Sequence, residues 1–477
     1  MKVNPNIFRG YDLRGLVDID LSPELAEHLG MAYGTMMKRQ GKTQFVVGRD
    51  CRATSPEYAE RLITGLQAVG CDVIDIGMHM VGTFYWSQHY LNRPVGVYVS
   101  ASHNPPEFNG FKFANDYSET LVSDGMQELL RVVQEEDYDY SDEKGQAVEQ
   151  DIRQAYFDDI NSRIKISRSL KVLVDPSATT AGAIAPELLR QAGCEVIERN
   201  TEVDPTFPLG IADPTENSVM ERLSAEVIEA GADIGLTYDS DGDRIGVVDE
   251  KGQIIWNDVL VALFATDVLS DHPGEKIMFN TLCSKVVPET IEREGGVPFM
   301  WRTGHSFLKK KNQEVKAAFI GELSGHFFFS KDFYNHDDGL YSSMRLLRRV
   351  ADSGKKLSEL VDELPKYISS PEIKLYCSDE EKVALIDKLS PVLRNDYPEA
   401  EVIDDERAGD GLRLEADAKM FVLRYSQNGP YVTIKFEAKD HQDYEELRSY
   451  IENLLRKFPE VDWHNSISTN VESLAKQ

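Results

Sequence analysis

The segment Asp239-Ser-Asp-Gly-Asp-Arg244 places three carboxylates at alternate positions between two apolar stretches. Carboxylates with this spacing can converge on one hard divalent cation. Mg²⁺ bound in this way keeps open positions for water or phosphate oxygens, as phosphoryl transfer requires. The loop therefore favours a magnesium site formed by Asp239, Asp241 and Asp243.

Two other structures fit the same letters. One is a solvated acidic turn, and the other is the calcium loop of an EF-hand, for which Glu250 has the correct spacing. An EF-hand needs Gly where this chain has Arg244, and it needs flanking helices. The flanking residues 234–238 and 245–248 are typical of strands, which favours Mg²⁺.

A second loop, residues 99–106, reads Val-Ser-Ala-Ser-His-Asn-Pro-Pro directly after an apolar strand. It contains Ser102 beside His103, and Lys112 follows in the letters NGFK. A serine hydroxyl is a weak nucleophile unless a base or a metal activates it, but at a strand end it could carry a phosphoryl group. A polar turn in which Ser and Asn satisfy backbone groups fits this loop equally well.

Two further loops could bind a sugar phosphate. Gly321-Glu-Leu-Ser-Gly-His326 offers Glu322 and Ser324 to sugar hydroxyls, and Thr303-Gly-His305 ends the preceding strand of the same unit. The alternative for this pair is an ordinary loop with a helix cap.

The other loop, Arg424-Tyr-Ser-Gln-Asn-Gly-Pro430, joins two strands near the end of the chain. It offers a guanidinium fork, a hydroxyl and a glycine turn, which together can hold a phosphate. A hairpin turn with a surface Arg is the alternative.

Alternating strand and helix signals predict the elements that position these loops. Capped helices are expected from Ser22-Pro23 to about Gly41 and from Ser55-Pro56 to about Gly70. Apolar strands are expected over residues 45–50, 96–100 and 171–178. The alternation predicts an α/β fold with three similar mixed α/β domains and a C-terminal α+β domain. We expect these domains to span residues 1–150, 151–256, 257–368 and 369–477.

Composition narrows the class of partner. The 477 residues include 81 acidic and 52 basic ones, and the formal net charge of −29 argues against nucleic acid or an anionic membrane as a partner. No run approaches the roughly 18–20 apolar residues that span a bilayer, and the first residues lack a secretory signal, so a cytoplasmic location is expected. The five scattered cysteines predict neither a disulfide framework nor a zinc site.

With these loops in order, the chain resembles the α-D-phosphohexomutase superfamily over essentially its whole length. FRGYDLRG and VGRDCRATSP resemble its N-terminal motifs, SASHNP its phosphoserine loop, and DSDGDR its metal loop. TGHSFLKKK, GELSGHFFF and DDGLYSS are similar to its sugar-recognition unit, and DGLRLE and RYSQNGP to its C-terminal phosphate-binding domain. The pair TGHS and GELSGH is most similar to the bacterial phosphomannomutase/phosphoglucomutase branch. Two positions depart from the common pattern: Ser240 replaces Gly, and Gln427-Asn428 follows the phosphate-loop serine.

The resemblance implies four domains around a central cleft and a magnesium-dependent exchange of phosphate between C1 and C6 of mannose or glucose. Ser102 would be a phosphoserine, and a hexose 1,6-bisphosphate would be the intermediate, with glucose 1,6-bisphosphate as activator. The substrate would be a hexose phosphate, and the enzyme a monomer or weak dimer.

The resemblance also assigns residues to roles. Ser102, His103, Lys112, Arg244 and Arg14 would be catalytic, and Ser102 would join the aspartates as a metal ligand. One of His103, His305 and His326 would exchange a proton with the sugar hydroxyl, and the sequence does not distinguish among the three. The substrate-binding set would be Thr303, Gly304, His305, Glu322, Ser324, His326, Arg424, Ser426, Gln427 and Asn428.

Three alternatives remain open at this point. A phosphoglucosamine mutase would share the reaction and differ in its sugar. A sugar-phosphate sensor on the same fold would not need a phosphorylatable serine. A metal-dependent phosphatase would release free phosphate without isomerisation.

Overall fold

The computed structural model describes residues 1–426 and 429–475, and its contacts divide the chain into two compact units. The first unit contains Met1–Trp256 and Ser324–Leu360, and the second contains Asn257–Leu323 and the chain from Val361 onward. Both units are mixtures of sheets and helices, which confirms the predicted α/β class.

The first sheet brings two site loops side by side. Its order is β1-β5-β4-β2-β3-β7, with β6 on β5, and β4, β2, β3 and β7 run parallel. The carboxyl ends of β2 and β4 are therefore neighbours, which is where ligand-binding loops of such sheets lie. The strands are β1 Leu13–Leu16, β2 Gln44–Arg49, β3 Asp72–Met78, β4 Val95–Val99, β5 Phe108–Asp116, β6 Glu119–Thr120 and β7 Ala147–Glu149. The helices are α1 Pro23–Lys38, α2 Ser55–Ala68, α3 Val81–Tyr90 and α4 Asp124–Glu135, after a 3₁₀ turn at Pro5–Ile7.

The start of α1 follows the predicted capping chemistry, whereas the start of α2 does not. Ser22 Oγ accepts the Leu25 N–H at 3.1 Å, and Pro23 opens the helix. The prediction that Ser55 caps α2 was wrong, because Ser55 lies inside the helix and its hydroxyl donates to Asp50 Oδ1 at 2.6 Å.

The second sheet carries the acidic loop. Its order is β12-β11-β10-β8-β9, and β10 and β11 form an antiparallel hairpin. The strand predicted over residues 171–178 ends at Val174, because Asp175 Oδ1 accepts the Ser177 N–H and Ser177 and Ala178 adopt positive φ. The elements are α5 Arg153–Arg163, β8 Lys171–Val174, α6 Ala185–Gln191, β9 Glu195–Glu198, α7 Asn217–Ala230, β10 Ile234–Tyr238, β11 Ile245–Asp249 and β12 Ile254–Ile255, with a 3₁₀ turn at Thr180–Ala183.

The second unit begins with three parallel strands in the order β14-β13-β15. Its elements up to residue 323 are α8 Asn257–Asp271, β13 Lys276–Asn280, α9 Val286–Arg293, β14 Val297–Trp301, α10 His305–Val315 and β15 Phe319–Gly321. The chain then contributes β16 Phe327–Phe328 and α11 Gly339–Ser353 to the first unit. Asp338 Oδ1 accepts the Tyr341 N–H at 2.9 Å and caps α11.

An antiparallel sheet forms the rest of the second unit, and strands β19 to β22 follow one helix in the chain and precede another, as the sequence predicted. Its order is β17-β22-β21-β20-β19, and β18 also pairs with β22. Helix α12, Leu357–Asp362, begins in the first unit and ends in the second. The other elements are β17 Ile368–Ser369, β18 Ile373–Tyr376, α13 Lys382–Asp396, β19 Glu401–Ile403, β20 Gly411–Glu415, β21 Lys419–Tyr425, β22 Tyr431–Ala438, α14 His441–Leu455 and a 3₁₀ turn at Val471–Ser473. Within residues 1–426 and 429–475, no helix has the length and apolar character needed to cross a membrane.

Candidate active site

Ser102 lies three residues beyond β4 in a left-handed backbone conformation, with φ of +50°. Its Oγ donates to Asp239 Oδ2 at 3.2 Å and lies 3.2 Å from His103 Nδ1. Its N–H donates to Ser100 Oγ at 2.8 Å. The loop therefore directs the hydroxyl of a 3%-exposed serine at the acidic loop of the neighbouring sheet.

The turn between β10 and β11 holds its three carboxylates in a buried position. Gly242, at φ +76°, lets the chain reverse, and its N–H donates to Asp239 Oδ1 at 3.1 Å. The Arg244 N–H donates to the same oxygen at 3.1 Å. Asp239, Asp241 and Asp243 are each at most 1% exposed.

These carboxylates fit a divalent cation. One oxygen from each lies within 4.8 Å of the others. Oδ1 of Asp241 and Oδ1 of Asp243 are buried without a hydrogen-bond partner, which is costly unless a ligand satisfies them. Burial, and next the charge of Asp243, raises the pKa of Asp239 well above its usual value, and a cation would offset that repulsion.

Lys112 on β5 supplies one positive charge to the same cluster. Its Nζ lies 2.8 Å from Asp241 Oδ2 and 2.7 Å from Asp243 Oδ2. Burial by itself lowers the pKa of Lys112, but the two carboxylates outweigh it and raise the pKa well above the usual value. Lys112 is therefore a fixed cation that contacts the Oδ2 atoms, and the Oδ1 atoms of Asp241 and Asp243 remain available to a divalent cation.

Arg244 is fixed by two carboxylates of the first unit. Its Nε donates to Asp239 Oδ2 at 3.1 Å, and its Nη1 donates to Asp213 Oδ1 at 3.1 Å. Burial would raise the pKa of Asp213, but the charge of the Arg244 guanidinium holds that pKa below its usual range.

Arg14 contacts the serine loop from the other side. Its Nε donates to Asp12 Oδ2 at 2.8 Å, and its Nη1 donates to the Ala101 carbonyl at 3.1 Å and to Asn104 Oδ1 at 2.8 Å. Arg14 and Arg244 therefore place two guanidinium groups around the Ser102 loop and the acidic turn.

Two of the three candidate histidines, His103 and His326, belong to the same unit as these groups. Burial, and next the Arg244 guanidinium, lowers the pKa of His103 well below its usual value, so its ring is neutral near pH 7. His326 Nδ1 lies 2.8 Å from Asp337 Oδ2 and 3.7 Å from Asp243 Oδ1. His103 is thus the histidine within reach of Ser102 Oγ.

In the second unit, the carboxyl ends of the three parallel strands bring the sugar-recognition candidates together. Gly304 has a positive φ of +123°, and its N–H donates to Glu322 Oε1 at 2.9 Å. The next residue, His305, is buried and is the first residue of α10. Asn280 Nδ2 donates to Thr303 Oγ1 at 3.3 Å. Ser324, the other predicted hydroxyl of this loop, belongs to the first unit.

The C-terminal phosphate-loop candidates lie at the end of β21. Arg424 donates through Nε and Nη2 to Asp410 Oδ1 and Oδ2 at 3.1 and 2.6 Å, which fixes the plane of its guanidinium. The Ser426 N–H donates to the Tyr431 carbonyl at 2.9 Å. Gln427 and Asn428 lie outside the described residues.

Known protein families account for this arrangement. The families "Phosphoglucomutase/phosphomannomutase, alpha/beta/alpha domain I, II and III" match residues 5–140, 154–252 and 256–367, in that order. A Pseudomonas putida phosphomannomutase/phosphoglucomutase is 38% identical over 457 residues, which cover 96% of this chain and 97% of that protein. The chain belongs to the phosphoglucomutase/phosphomannomutase family. It is therefore an enzyme of the isomerase class.

Two other members of the phosphoglucomutase/phosphomannomutase family extend the likeness. A Neisseria gonorrhoeae phosphoglucomutase is 33% identical over 462 residues, covering 97% of this chain and 99% of that protein. The crystal structure of a family protein from Burkholderia thailandensis superposes with a TM-score of 0.89 at 34% identity, covering 97% of this chain and 99% of that chain. The resemblance inferred from the motifs is confirmed by these matches.

Several residues that shape the site of this family member were missed by the sequence reasoning. Asn280 Oδ1 accepts the Leu323 N–H at 3.1 Å and so connects the two sugar-recognition loops. Lys382 Nζ donates to the Ser426 and Gly429 carbonyls at 2.6 and 3.1 Å. Asp410 is the first residue of the motif DGLRLE. No motif in the sequence indicates a role for Asn280 or Lys382.

Arg52 and Asp213 were missed as well. Arg52 stands in the quoted motif VGRDCRATSP without an assigned role, and its Nη2 donates to the Ser102 carbonyl at 2.6 Å. Asp213 is separated from its partner Arg244 by 31 positions, and no pattern in the sequence connects them.

Proposed function

We propose that the protein is a phosphohexomutase that interconverts hexose 1-phosphate and hexose 6-phosphate through phospho-Ser102 and a hexose 1,6-bisphosphate. The observation that carries the proposal is the 3.2 Å contact between Ser102 Oγ and Asp239, beside two buried carboxylate oxygens without a hydrogen-bond partner. A serine that only capped a turn would not need a cluster of buried charges beside it.

Mg²⁺ is the proposed metal, held by Asp239, Asp241, Asp243 and a phosphate oxygen on Ser102. When bound, it would neutralise charge on the transferring phosphoryl group. Lys112, Arg14 and Arg244 would supply further positive charge around the same group, since phosphoryl transfer depends chiefly on positioning and charge stabilisation.

Each half-reaction exchanges one bond to phosphorus for another. In the first, the bond from phosphorus to Ser102 Oγ breaks as the sugar oxygen bonds to phosphorus. The hydroxyl proton of the sugar passes to a base, and the released Ser102 Oγ takes up a proton to become a hydroxyl. In the second, Ser102 Oγ bonds to the other phosphorus of the bisphosphate as the bond from that phosphorus to the sugar oxygen breaks. The Ser102 proton passes to His103 Nδ1, and the released sugar oxygen takes up a proton to become a hydroxyl. His103 suits this step because it is neutral and lies 3.2 Å from Oγ.

The substrate-binding roles divide between two groups of loops. Arg424 and Ser426 would hold the phosphate that is not being transferred, together with Gln427 and Asn428. The sugar hydroxyls would contact the remaining candidates, which are Thr303, Gly304, His305, Glu322, Ser324 and His326. Support comes from the buried Glu322, which the Gly304 N–H already holds in place.

Mannose and glucose phosphates are the proposed substrates. The Pseudomonas putida relative is named for both sugars and the Neisseria gonorrhoeae relative for glucose only. Both names therefore include glucose phosphate. Activity on mannose phosphate would distinguish a phosphomannomutase/phosphoglucomutase from a phosphoglucomutase.

The test is an assay with Mg²⁺, a trace of glucose 1,6-bisphosphate, and glucose, mannose or glucosamine 1-phosphate, in which the 6-phosphates are measured. We expect conversion of glucose and mannose phosphates, and loss of turnover in Ser102→Ala. Ser87→Ala is the matched control, because Ser87 is also buried in the first unit and its hydroxyl donates only to the Phe84 carbonyl at 2.7 Å among the described contacts.

The outcomes separate the alternatives. Free phosphate without a 6-phosphate would identify a phosphatase, and binding without conversion would identify a sensor. Conversion of glucosamine phosphate alone would change the sugar and leave the mechanism in place. Substantial turnover in Ser102→Ala would overturn the phosphoserine mechanism.

A further inference from the structure

Arg52 uses every N–H group of its side chain beneath the serine loop. Arginine has five such donors. Nε donates to Asp50 Oδ2 at 3.0 Å, Nη1 to the carbonyls of Pro105 and Phe108 at 2.7 and 3.0 Å, and Nη2 to those of Ser102 and Asn104 at 2.6 Å each. One guanidinium therefore fixes four carbonyls of the loop that carries the nucleophile.

The surroundings of Arg52 hold it in a single orientation. Asp50 Oδ1 accepts the Ser55 hydroxyl at 2.6 Å and the Arg52 N–H at 3.0 Å, so the carboxylate that anchors Arg52 is itself fixed. The Phe207 ring covers the guanidinium, with 4.9 Å from the guanidinium carbon to the ring centre. Arg52 is 1% exposed and its charge is offset by Asp50.

The conformation of Ser102 needs such support. A residue with a side chain is disfavoured at positive φ, and Ser102 has φ of +50°. The Ser102 carbonyl is held by Arg52, and its N–H is held by Ser100 Oγ at 2.8 Å. Strained conformations persist where the surrounding contacts over-determine them, and both sides of this residue are held.

We propose that Arg52 is a positioning residue for the phosphoryl transfer. It holds Ser102 in its left-handed conformation, so that Oγ stays directed at Asp239 in both half-reactions. Because all five of its donors are used, Arg52 has none left for a substrate or a phosphate. This role rests on the proposed function and differs from those of Arg14 and Arg244, which act as charges near the transferring group.

The test is Arg52→Lys. Lysine keeps the charge that pairs with Asp50, but its single ammonium group has three N–H donors and cannot reach the Asp50 carboxylate and all four carbonyls. The kcat per phospho-Ser102 should fall about 100-fold, the effect of a misplacement of roughly 1 Å. The KM for glucose 1-phosphate should stay within about threefold, because no substrate contact is lost.

Normalisation to phosphoserine, measured by intact mass, removes any effect of a smaller folded fraction. A purely structural role would leave the rate per phospho-Ser102 at the wild-type value, and that result would overturn the proposal. Arg39→Lys is the matched control, since Arg39 is a half-exposed arginine of the same unit that pairs with Asp137 and Asp139.

A second variant carries the same test if Arg52→Lys does not fold. Asp50→Asn preserves volume but keeps only one acceptor oxygen, so it cannot accept from Arg52 Nε as well as from the Arg52 N–H and the Ser55 hydroxyl. It should lower the rate per phospho-Ser102 about tenfold. A wild-type rate per phospho-Ser102 in either folded variant counts against the positioning role.

Failure of the proposed function would be visible separately. It would appear as absence of mutase turnover in the wild-type protein. The Arg52 proposal would then be tested on the rate at which glucose 1,6-bisphosphate phosphorylates Ser102. A rate that is equal in Arg52→Lys and wild type would overturn it, and a rate lowered about 100-fold would support it.

Discussion

Lys112 Nζ lies 2.7 Å from Asp243 Oδ2, and this buried contact joins the first sheet to the acidic turn of the second. The lysine comes from β5, beside the strand that leads to Ser102, whereas the aspartate follows β10. The charge balance of the cluster therefore depends on how two sheets pack against each other.

Lys112→Met should separate catalysis from metal binding. We expect kcat to fall about 100-fold or more, because a fixed charge near the transferring phosphoryl group is lost. The Mg²⁺ concentration for half-maximal rate should not rise, because the carboxylate cluster becomes more negative. Rates measured across a Mg²⁺ titration test both points. The variant Lys112→Arg keeps the positive charge, so its kcat should fall less than that of Lys112→Met. An unchanged kcat with a higher Mg²⁺ requirement would contradict the assignment.

Asp241→Asn should weaken the metal site. It removes negative charge from an oxygen that is buried without a hydrogen-bond partner, so the half-saturating Mg²⁺ concentration should rise at least about 10–100-fold. Asp249→Asn is the control, because Asp249 is equally buried on the same hairpin but lies at its other end. Equal Mg²⁺ requirements in Asp241→Asn and wild type would remove Asp241 from the ligand set.

The sequence predicted those parts of the site that are local in the chain. The acidic turn lies between two short apolar strands, as residues 234–238 and 245–248 indicated, and Ser102 follows the strand Val95–Val99. Each of these features depends on a few neighbouring residues, since an apolar run followed by polar residues marks a strand end.

The supports of the site depend on pairings between distant residues. Arg52 reaches Ser102 across 50 positions, and the contact exists because β2 and β4 are parallel neighbours. Ser55 followed by Pro56 is a typical N-cap sequence, but the Ser55 hydroxyl donates a hydrogen bond to the buried Asp50 carboxylate instead. The sequence pattern does not indicate which strands are neighbours in the sheet. At Ser55, a tertiary contact therefore overrides the N-cap preference that the local sequence predicts.

Arg424→Lys should affect substrate binding more than turnover. Two hydrogen bonds to Asp410 fix the orientation of the guanidinium, and an ammonium group cannot form the bidentate contact that a guanidinium can make with a phosphate. We expect the KM for hexose phosphates to rise about 10–100-fold, the equivalent of one charge-assisted hydrogen bond. Arg407→Lys is the control, since Arg407 lies in the same unit and pairs with Asp405 and Glu401 at its surface. An unaltered KM in Arg424→Lys would place the phosphate elsewhere.

Asp338 should make the stability of the protein depend on pH. Burial raises its pKa to about 6, while its side chain caps α11 and accepts the Tyr156 hydroxyl at 2.6 Å. The unfolded chain ionises this group near pH 4, so the folded state binds the extra proton between about pH 4 and 6. The favourable contribution of that proton is complete below about pH 4 and is lost as the pH rises through 6. Ionisation of the buried group then costs on the order of 3 kcal/mol at pH 7.5.

Asp338→Asn should therefore raise the melting temperature at pH 7.5, and the gain should shrink toward zero near pH 4. The amide oxygen can still cap α11, and the amide nitrogen can donate to Tyr156 Oη, so both contacts of the carboxylate are replaced. Calorimetric scans of both proteins from pH 4.5 to 8 measure the difference. Asp352→Asn, at an exposed position of the same helix, is the control and should leave the profile unchanged. A constant difference between Asp338→Asn and wild type across this range would show that ionisation of Asp338 does not control it.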